Sequence, residues 1–293
     1  MWKLLQIETF KIFRKPRTYL AFAIIAAFIF LIQIGLFVNG KDLMKFMIGS
    51  LDETMEIDYK KLVNGYWVCY FILNLLLVHV PILVALVAGD IVSGEASVGT
   101  LRLLATKPVS RTEIILAKYF AIAAYVFVLL IWIALISLLV SIAMFGTNDL
   151  YVAKQNGVQL IESGDVLWRY FYAFGFAFIA MMVVAAISLL LSTLAANSIG
   201  PIVSTVGIIV LCTLVSEMEI PIYQTYIKPY LFTTYMLGWK GFFYIGSTED
   251  GETIKGSIQY LPGIIKSVAA LLLYIVGLVS AAVYIFRKKD ILS

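Results

Sequence analysis

Residues 170–216 read YFYAFGFAFIAMMVVAAISLLLSTLAANSIGPIVSTVGIIVLCTLVS, a run of 47 residues without one Asp, Glu, Lys or Arg. Crossing the hydrocarbon of a bilayer takes about 20 predominantly apolar residues. The run is therefore long enough for two crossing helices and a turn. Asn197, Gly200 and Pro201, within residues 195–201, supply the break. Four more charge-free runs flank it: Thr18–Gly40, Leu62–Gly89, Tyr119–Asn148 and Ser267–Phe286. Together they predict an all-α polytopic membrane protein of one domain over 1–293. Its six transmembrane helices are expected at about 18–40, 64–89, 115–146, 168–194, 199–216 and 264–286. Residues 217–263 are also partly apolar, but Pro221, Pro229, Lys228 and Lys240 interrupt them. They read as short re-entrant helices at the outer interface.

Composition agrees. Of 293 residues, 62% are hydrophobic and 14% charged, against roughly half and a quarter in soluble domains. The net charge of +4 and the absence of a clustered basic face argue against a nucleic-acid partner. Cys69 and Cys212 both lie in apolar runs and read as small packing residues, although a disulfide between them is open. His79 is the single histidine, so no metal-ligand cluster is expected.

Six spans put both termini on one side. That side, with the loop between the second and third spans, carries 12 basic and 5 acidic residues; the other side carries 10 and 13. The excess of Lys and Arg makes the first side cytoplasmic. The first span reads as a true span and not a cleaved leader, because its run is too long and lacks a small-residue cleavage site. Ahead of it, residues 2–15 form a basic amphipathic helix suited to the headgroup plane. Trp2, Leu5, Phe10, Ile12 and Phe13 share a broad apolar face; Lys3, Glu8, Lys11, Arg14 and Lys15 lie opposite. Leu4 and Ile7 interrupt the polar side, and Pro16 ends the helix.

The loop after the second span carries the most specific signals. In residues 93–113, Thr100 can cap a short helix beginning at Leu101, which Lys107 and Pro108 stop. Ser110-Arg111-Thr112-Glu113 matches the S-x-x-E capping box ahead of an apolar run. A helix this short does not fold alone. It packs on the rest of the chain or on a partner through Leu101, Leu103, Leu104 and Arg102, or it is simply a tight, well-capped surface loop.

The run G-E-x-x-x-G-T-L-R-L-L-x-x-x-P-V-S-R-T-E over residues 94–113 resembles the cytoplasmic coupling segment of ATP-binding-cassette (ABC) transporter permeases of the type-2 export family. Residues 8–19 resemble that family's pre-span helix. The likeness extends over nearly the whole chain and is nearest to the bacterial gliding, nitrous-oxide-maturation and bacteriocin-immunity permeases. It implies a permease subunit in the bacterial cytoplasmic membrane, paired with a second permease copy or paralogue and with two ATPase subunits. It implies no catalysis by this chain, with ATP and Mg held by the partner. Gly94, Glu95, Gly99, Thr100, Leu101, Arg102, Leu103, Leu104, Pro108, Ser110 and Arg111 are then the residues that meet the ATPase. No G-x-x-x-x-G-K-[ST] phosphate loop is found in the sequence, so ATP binding by that route is not expected of this chain.

Polar residues inside the spans are candidates for a translocation path: Gln33, Asn74, His79, Pro81, Ser204 and Thr205. Each also reads, taken singly, as an interhelical hydrogen-bonding or packing residue, the more ordinary use of such side chains. Asn74 and Pro81 are seven apart and share a helix face, while His79 points elsewhere. The spans lack deep carboxylates, which argues against an ion-coupled pump and favours an amphipathic, lipid-like or peptide cargo. A membrane enzyme would need a nucleophile with its base or a pair of carboxylates; neither is legible. A non-transporting anchor, or a mechanical component of an ATPase-driven complex, is the alternative.

Overall fold

The computed structural model describes residues 1–48, 62–101, 108–154, 157–218, 220–246 and 254–289. Its helices are α1 (Trp2–Arg14), α2 (Pro16–Ile48, interrupted at Asn39), α3 (Gly65–Gly89), α4 (Ser93–Ser97), α5 (Arg111–Ala134), α6 (Ser141–Phe145), α7 (Leu167–Leu194), α8 (Ile199–Glu217), α9 (Phe232–Met236) and α10 (Leu261–Lys288). Among the described residues six helical stretches are long and apolar enough to cross a membrane: Pro16–Gly40, Gly65–Ser97, Arg111–Phe145, Ser163–Leu194, Ile199–Glu217 and Leu261–Lys288. The chain is an all-α polytopic membrane protein, and each expected span has its helix.

The bundle is organised around α7, which packs on α3, α5, α8 and α10. Small side chains make that central position possible. Ala173, Ala180, Ala185, Ala186, Ser188 and Ser192 are all buried on α7. Without a hydrophobic drive between helices in lipid, close backbone approach is what holds spans together. Small-residue contacts recur elsewhere. A Cβ on Gly89 would lie 2.8 Å from Ile202 Cγ1 of α8, and one on Gly65 would lie 2.6 Å from the Ile142 backbone of α6. Helices α2, α8 and α10 are the outer members and leave many large apolar side chains exposed.

Local chemistry sets the helix ends. Asn64 caps α3 by accepting from the Tyr66 and Trp67 amides, and its own amide donates to the Asp149 carbonyl at 2.7 Å. The expected capping box is present at α5: Ser110 Oγ accepts from the Glu113 amide while Glu113 reaches back to the Ser110 amide. Between α5 and α6, residues Leu135–Val140 form a π turn. Such a turn disturbs the normal carbonyl pairing, and in lipid each backbone group needs a partner. Gln33 supplies one: its Nε2 donates to the Ile136 carbonyl at 2.9 Å and to Ser141 Oγ at 3.0 Å.

Helix α1 meets the rest of the protein along one stripe. Leu4, Glu8 and Ile12 are its buried residues, four apart along one line, whereas Trp2, Ile7 and Phe10 are exposed. The helix lies along α5, so the protein takes the stripe containing Glu8 and the more apolar flank faces outward. Between α6 and α7, Leu150–Lys154 (β1) and Gly157–Ile161 (β2) form an antiparallel hairpin, with Leu150 opposite Ile161. Leu150, Val152 and Ile161 bury its inner face. Lys118 lies within α5 with its side chain fully buried.

The segment before the last span is a string of short helices, as expected. A π turn at Tyr223–Ile227, a 3₁₀ turn at Lys228–Tyr230, α9, and a 3₁₀ helix at Leu237–Phe243 follow one another. Trp239, Phe242 and Phe243 anchor this string in the core. Cys69 and Cys212 are both free, the first buried and the second half-buried, consistent with packing.

Candidate coupling site at the end carrying the termini

Four charged residues from three elements close a ring. Lys118 Nζ of α5 donates to Glu8 Oε2 of α1 at 2.8 Å and to Glu95 Oε2 of α4 at 2.7 Å. Lys11 Nζ of α1 donates to the other oxygen of each carboxylate, Glu8 Oε1 and Glu95 Oε1, both at 2.7 Å. Each carboxylate thus bridges both ammonium groups, and charge cancels within the ring. Lys118 and Glu8 are 0% and 2% exposed, Glu95 14% and Lys11 41%. For Lys11, burial works against the charge, but the hydrogen bonds and fields of Glu8 and Glu95 outweigh it and hold the pKa above the ordinary lysine value.

A second cluster lies one turn away. Asp90 Oδ2, just past α3, takes Lys15 Nζ at 2.6 Å and Arg17 Nη1 at 3.0 Å. The turn into α4 is pinned from α7: Ser192 Oγ accepts from the Val92 and Ser93 amides and donates to the Gly89 carbonyl at 2.7 Å. Helix α1, the segment leaving the second span and the third span are thereby fixed to one another by charge-assisted bonds, roughly twice as strong as neutral ones, and the fourth span is tied to the same segment by the neutral bonds of Ser192.

The residues expected to meet an ATPase fall in and around this arrangement. Glu95 is a ring member. Gly94 leaves room for Asp90, since a Cβ there would lie 2.3 Å from Asp90 Oδ1. Gly99 has φ +77°, a left-handed conformation that favours glycine. Thr100 is helical, and its hydroxyl donates to the Glu95 carbonyl at 3.3 Å; the amides it is expected to cap lie outside the described residues. Leu101 is buried at 4% exposure. Arg102, Leu103 and Leu104 lie outside the described residues. Pro108 is exposed. Ser110 is the α5 cap. Arg111 Nη1 donates to the Arg287 and Lys289 carbonyls at 2.9 and 2.6 Å, satisfying the C-terminal end of α10. Lys289 does the same for α7, donating to the Thr193 carbonyl at 2.8 Å. Between α1 and the α4 turn an open groove of about 630 Å³ remains, reaching from Phe10 and Arg14 to Val98 and Thr100.

Gly94→Ala tests the packing of this turn. The added methyl group must displace the Asp90 carboxylate from Lys15 and Arg17, and overpacking of this kind costs about 1–3 kcal/mol. The expected result is a lowered thermal midpoint in detergent. In a background of Asp90→Ala the same change should cost almost nothing, because the two sites are coupled.

The polar residues of the spans separate into distinct groups. Gln33 is committed to the π turn. Thr205 is buried and donates to the Pro201 carbonyl at 2.7 Å and to Ser188 Oγ of α7 at 3.2 Å. Ser204 beside it is exposed. His79 turns toward α2, where its ring lies 4.6 Å from that of Phe28. Asn74 and Pro81 do share a face and line one cavity between α3 and α8.

Glu8, Lys11 and Lys118 were not among the residues singled out from sequence. Two signals pointed to them. Glu8 sits in line with Leu4 and Ile12 at helical spacing, and Lys118 interrupts an otherwise apolar run of α5. An isolated charge on an apolar face needs a partner.

Six helices long and apolar enough to cross a membrane define a multi-pass integral membrane protein. The chain belongs to the DUF2705 family, described as a protein of unknown function, whose family model matches residues 23–292. The matched range contains α4 and α5, with Glu95 and Lys118, and begins after α1. No curated protein matches the chain.

Proposed function

We propose that this chain is the permease subunit of an ABC exporter in the bacterial cytoplasmic membrane, with both termini cytoplasmic. It moves an amphipathic cargo using ATP hydrolysed by a separate subunit, and it works as a pair of permeases. The observation that carries this reading is the closed ring of Glu8, Lys11, Glu95 and Lys118. A segment that transmits force must not slide on the spans it drives. The ring, with Asp90 held by Lys15 and Arg17, makes residues 90–101 a stiff continuation of the second and third spans. A partner that grips this segment therefore moves those spans as a rigid body. The motif over residues 94–113 supplies the likeness that names the partner as an ATPase.

The test is purification of the chain in mild detergent with the associated proteins intact. The expected result is an ATPase recovered in stoichiometric amount. Glu95→Gln is expected to lower cargo-stimulated hydrolysis by roughly tenfold while the ATPase stays bound. Recovery without an ATPase under several gentle conditions would remove the exporter reading, as would coupling unchanged in Glu95→Gln.

A further inference from the structure

A cavity of about 60 Å³ lies between α3, α5 and α7, with Met236 of α9 and Trp239 as its remaining walls. Val80 of α3, Ile133 of α5, and Ala177 and Met181 of α7 are among the residues that line it. Neither Asn74 nor Pro81 does, and α8 contributes nothing to it. Among the described lining residues, Trp239 is the one whose side chain carries a hydrogen-bond donor.

That donor is unmet. Trp239 is 4% exposed, and its Nε1–H has no hydrogen-bond partner among the described residues. The rings of Tyr70 and Phe243 stand against the indole, with centroids 5.6 and 5.9 Å away, and hold it in place. A donor buried in this way loses its hydration without a replacement bond. Water is a poor remedy, because a buried water needs two to four polar partners and the side chains around this cavity offer one. A hydrocarbon chain fills the space and leaves the N–H unmet. A compact apolar molecule with a single acceptor does both. One water-sized sphere takes roughly 10–15 Å³ of such space, so about four to six non-hydrogen atoms fit. Such a molecule dissolves in the hydrocarbon layer, where its acceptor finds no donor, and the indole supplies one.

We propose that this cavity binds a small neutral lipophile with one hydrogen-bond acceptor, of the short-chain ketone class. Its carbonyl oxygen accepts from Trp239 Nε1, and its alkyl groups pack on Val80, Ile133 and Ala177. Binding needs only this chain, so the outcome does not depend on the exporter reading. The full chain, with its five tryptophans carrying 15N at the indole nitrogen, is titrated with butanone in detergent and followed by NMR. Trp239→Phe assigns the Trp239 indole signal. That signal is expected to move downfield in its proton dimension and to saturate, while the other tryptophan signals show no saturable shift. 2-Methylbut-1-ene has the same shape without the acceptor. At equal concentration in the detergent phase it should bind roughly fivefold or more weakly, a comparison made on the unaltered chain. Ala177→Leu fills the space and should abolish saturation by butanone while the tryptophan signals keep their wild-type dispersion. A shift at Trp239 that never saturates, equal affinity for ketone and alkene, or butanone binding retained in Ala177→Leu would each overturn the assignment.

Discussion

Replacing Lys118 with methionine is expected to destabilise the protein by about 3–5 kcal/mol, the usual cost of removing one partner from a buried ion pair. The side chain is fully buried, and its ammonium is bonded to both Glu8 and Glu95. After the substitution the two carboxylates face one another with only Lys11 between them, and Lys11 is 41% exposed. The charge that remains is therefore the more weakly acting of the two, screened by solvent and salt. Lys11→Met should accordingly cost about 1 kcal/mol or less, at least a threefold contrast between two lysines that contact the same pair of acids. The ring also fixes α1 to α4, so a spin-label pair on these helices should report a single narrow distance in the wild type and a broadened one in Lys118→Met. Adding Glu8→Gln to Lys118→Met removes the uncompensated charge and should recover part of the loss, since residues of one network do not act additively. Equal thermal midpoints for Lys118→Met and Lys11→Met would show that the ring does not hold α1 in place.

The spans were legible because membrane solvation is a local constraint. Each crossing helix must bring its own run of apolar residues, and runs such as Tyr170–Ser216 are visible without knowing any neighbour. Helix ends were legible for the same reason: Ser110 and Glu113 are three residues apart and cap each other. The ring was not legible, because it joins residue 8 to residues 95 and 118, and no local rule pairs positions so far apart. A helical wheel sets Glu8 on the charged face of α1, yet it is buried because Lys118 meets it there. The hairpin at Leu150–Ile161 escaped notice because only ten residues make its strands and its alternation is short. Of the residues suggested for a path, Asn74 and Pro81 line a shared cavity. Gln33 and Thr205 instead satisfy backbone and hydroxyl groups of neighbouring spans, a use that depends on which helix lies beside them.

Arg169 should prove as consequential at the hairpin end as Lys118 is at the other. The guanidinium is fully buried and all its bonds are made within the protein. Nη2 donates to Asp165 Oδ2 at 2.5 Å and to the Ser257 carbonyl at 2.9 Å; Nη1 donates to the Phe242 carbonyl at 2.5 Å; Nε donates to the Asp165 carbonyl at 2.9 Å. Its carbon lies 4.5 Å from the Trp168 ring centroid. One planar fork therefore joins the start of α7, the 3₁₀ helix before α10 and the chain leading into α10. Arg169→Met keeps much of the volume but strands the Asp165 carboxylate, which retains Trp168 Nε1 and the Gly256 amide. The loss expected is about 3–5 kcal/mol. Arg169→Lys keeps the charge, yet a lysine has three donors on one nitrogen and cannot reach acceptors spread over a fork. It should lose more than half as much as Arg169→Met, which separates geometry from charge. Both are read as thermal midpoints in detergent, with limited proteolysis across residues 237–260 as the local measure. Cleavage there should rise in both variants while α1 and the ionic ring stay protected. A lysine variant as stable as the wild type would mean that charge alone suffices and that the fork is dispensable.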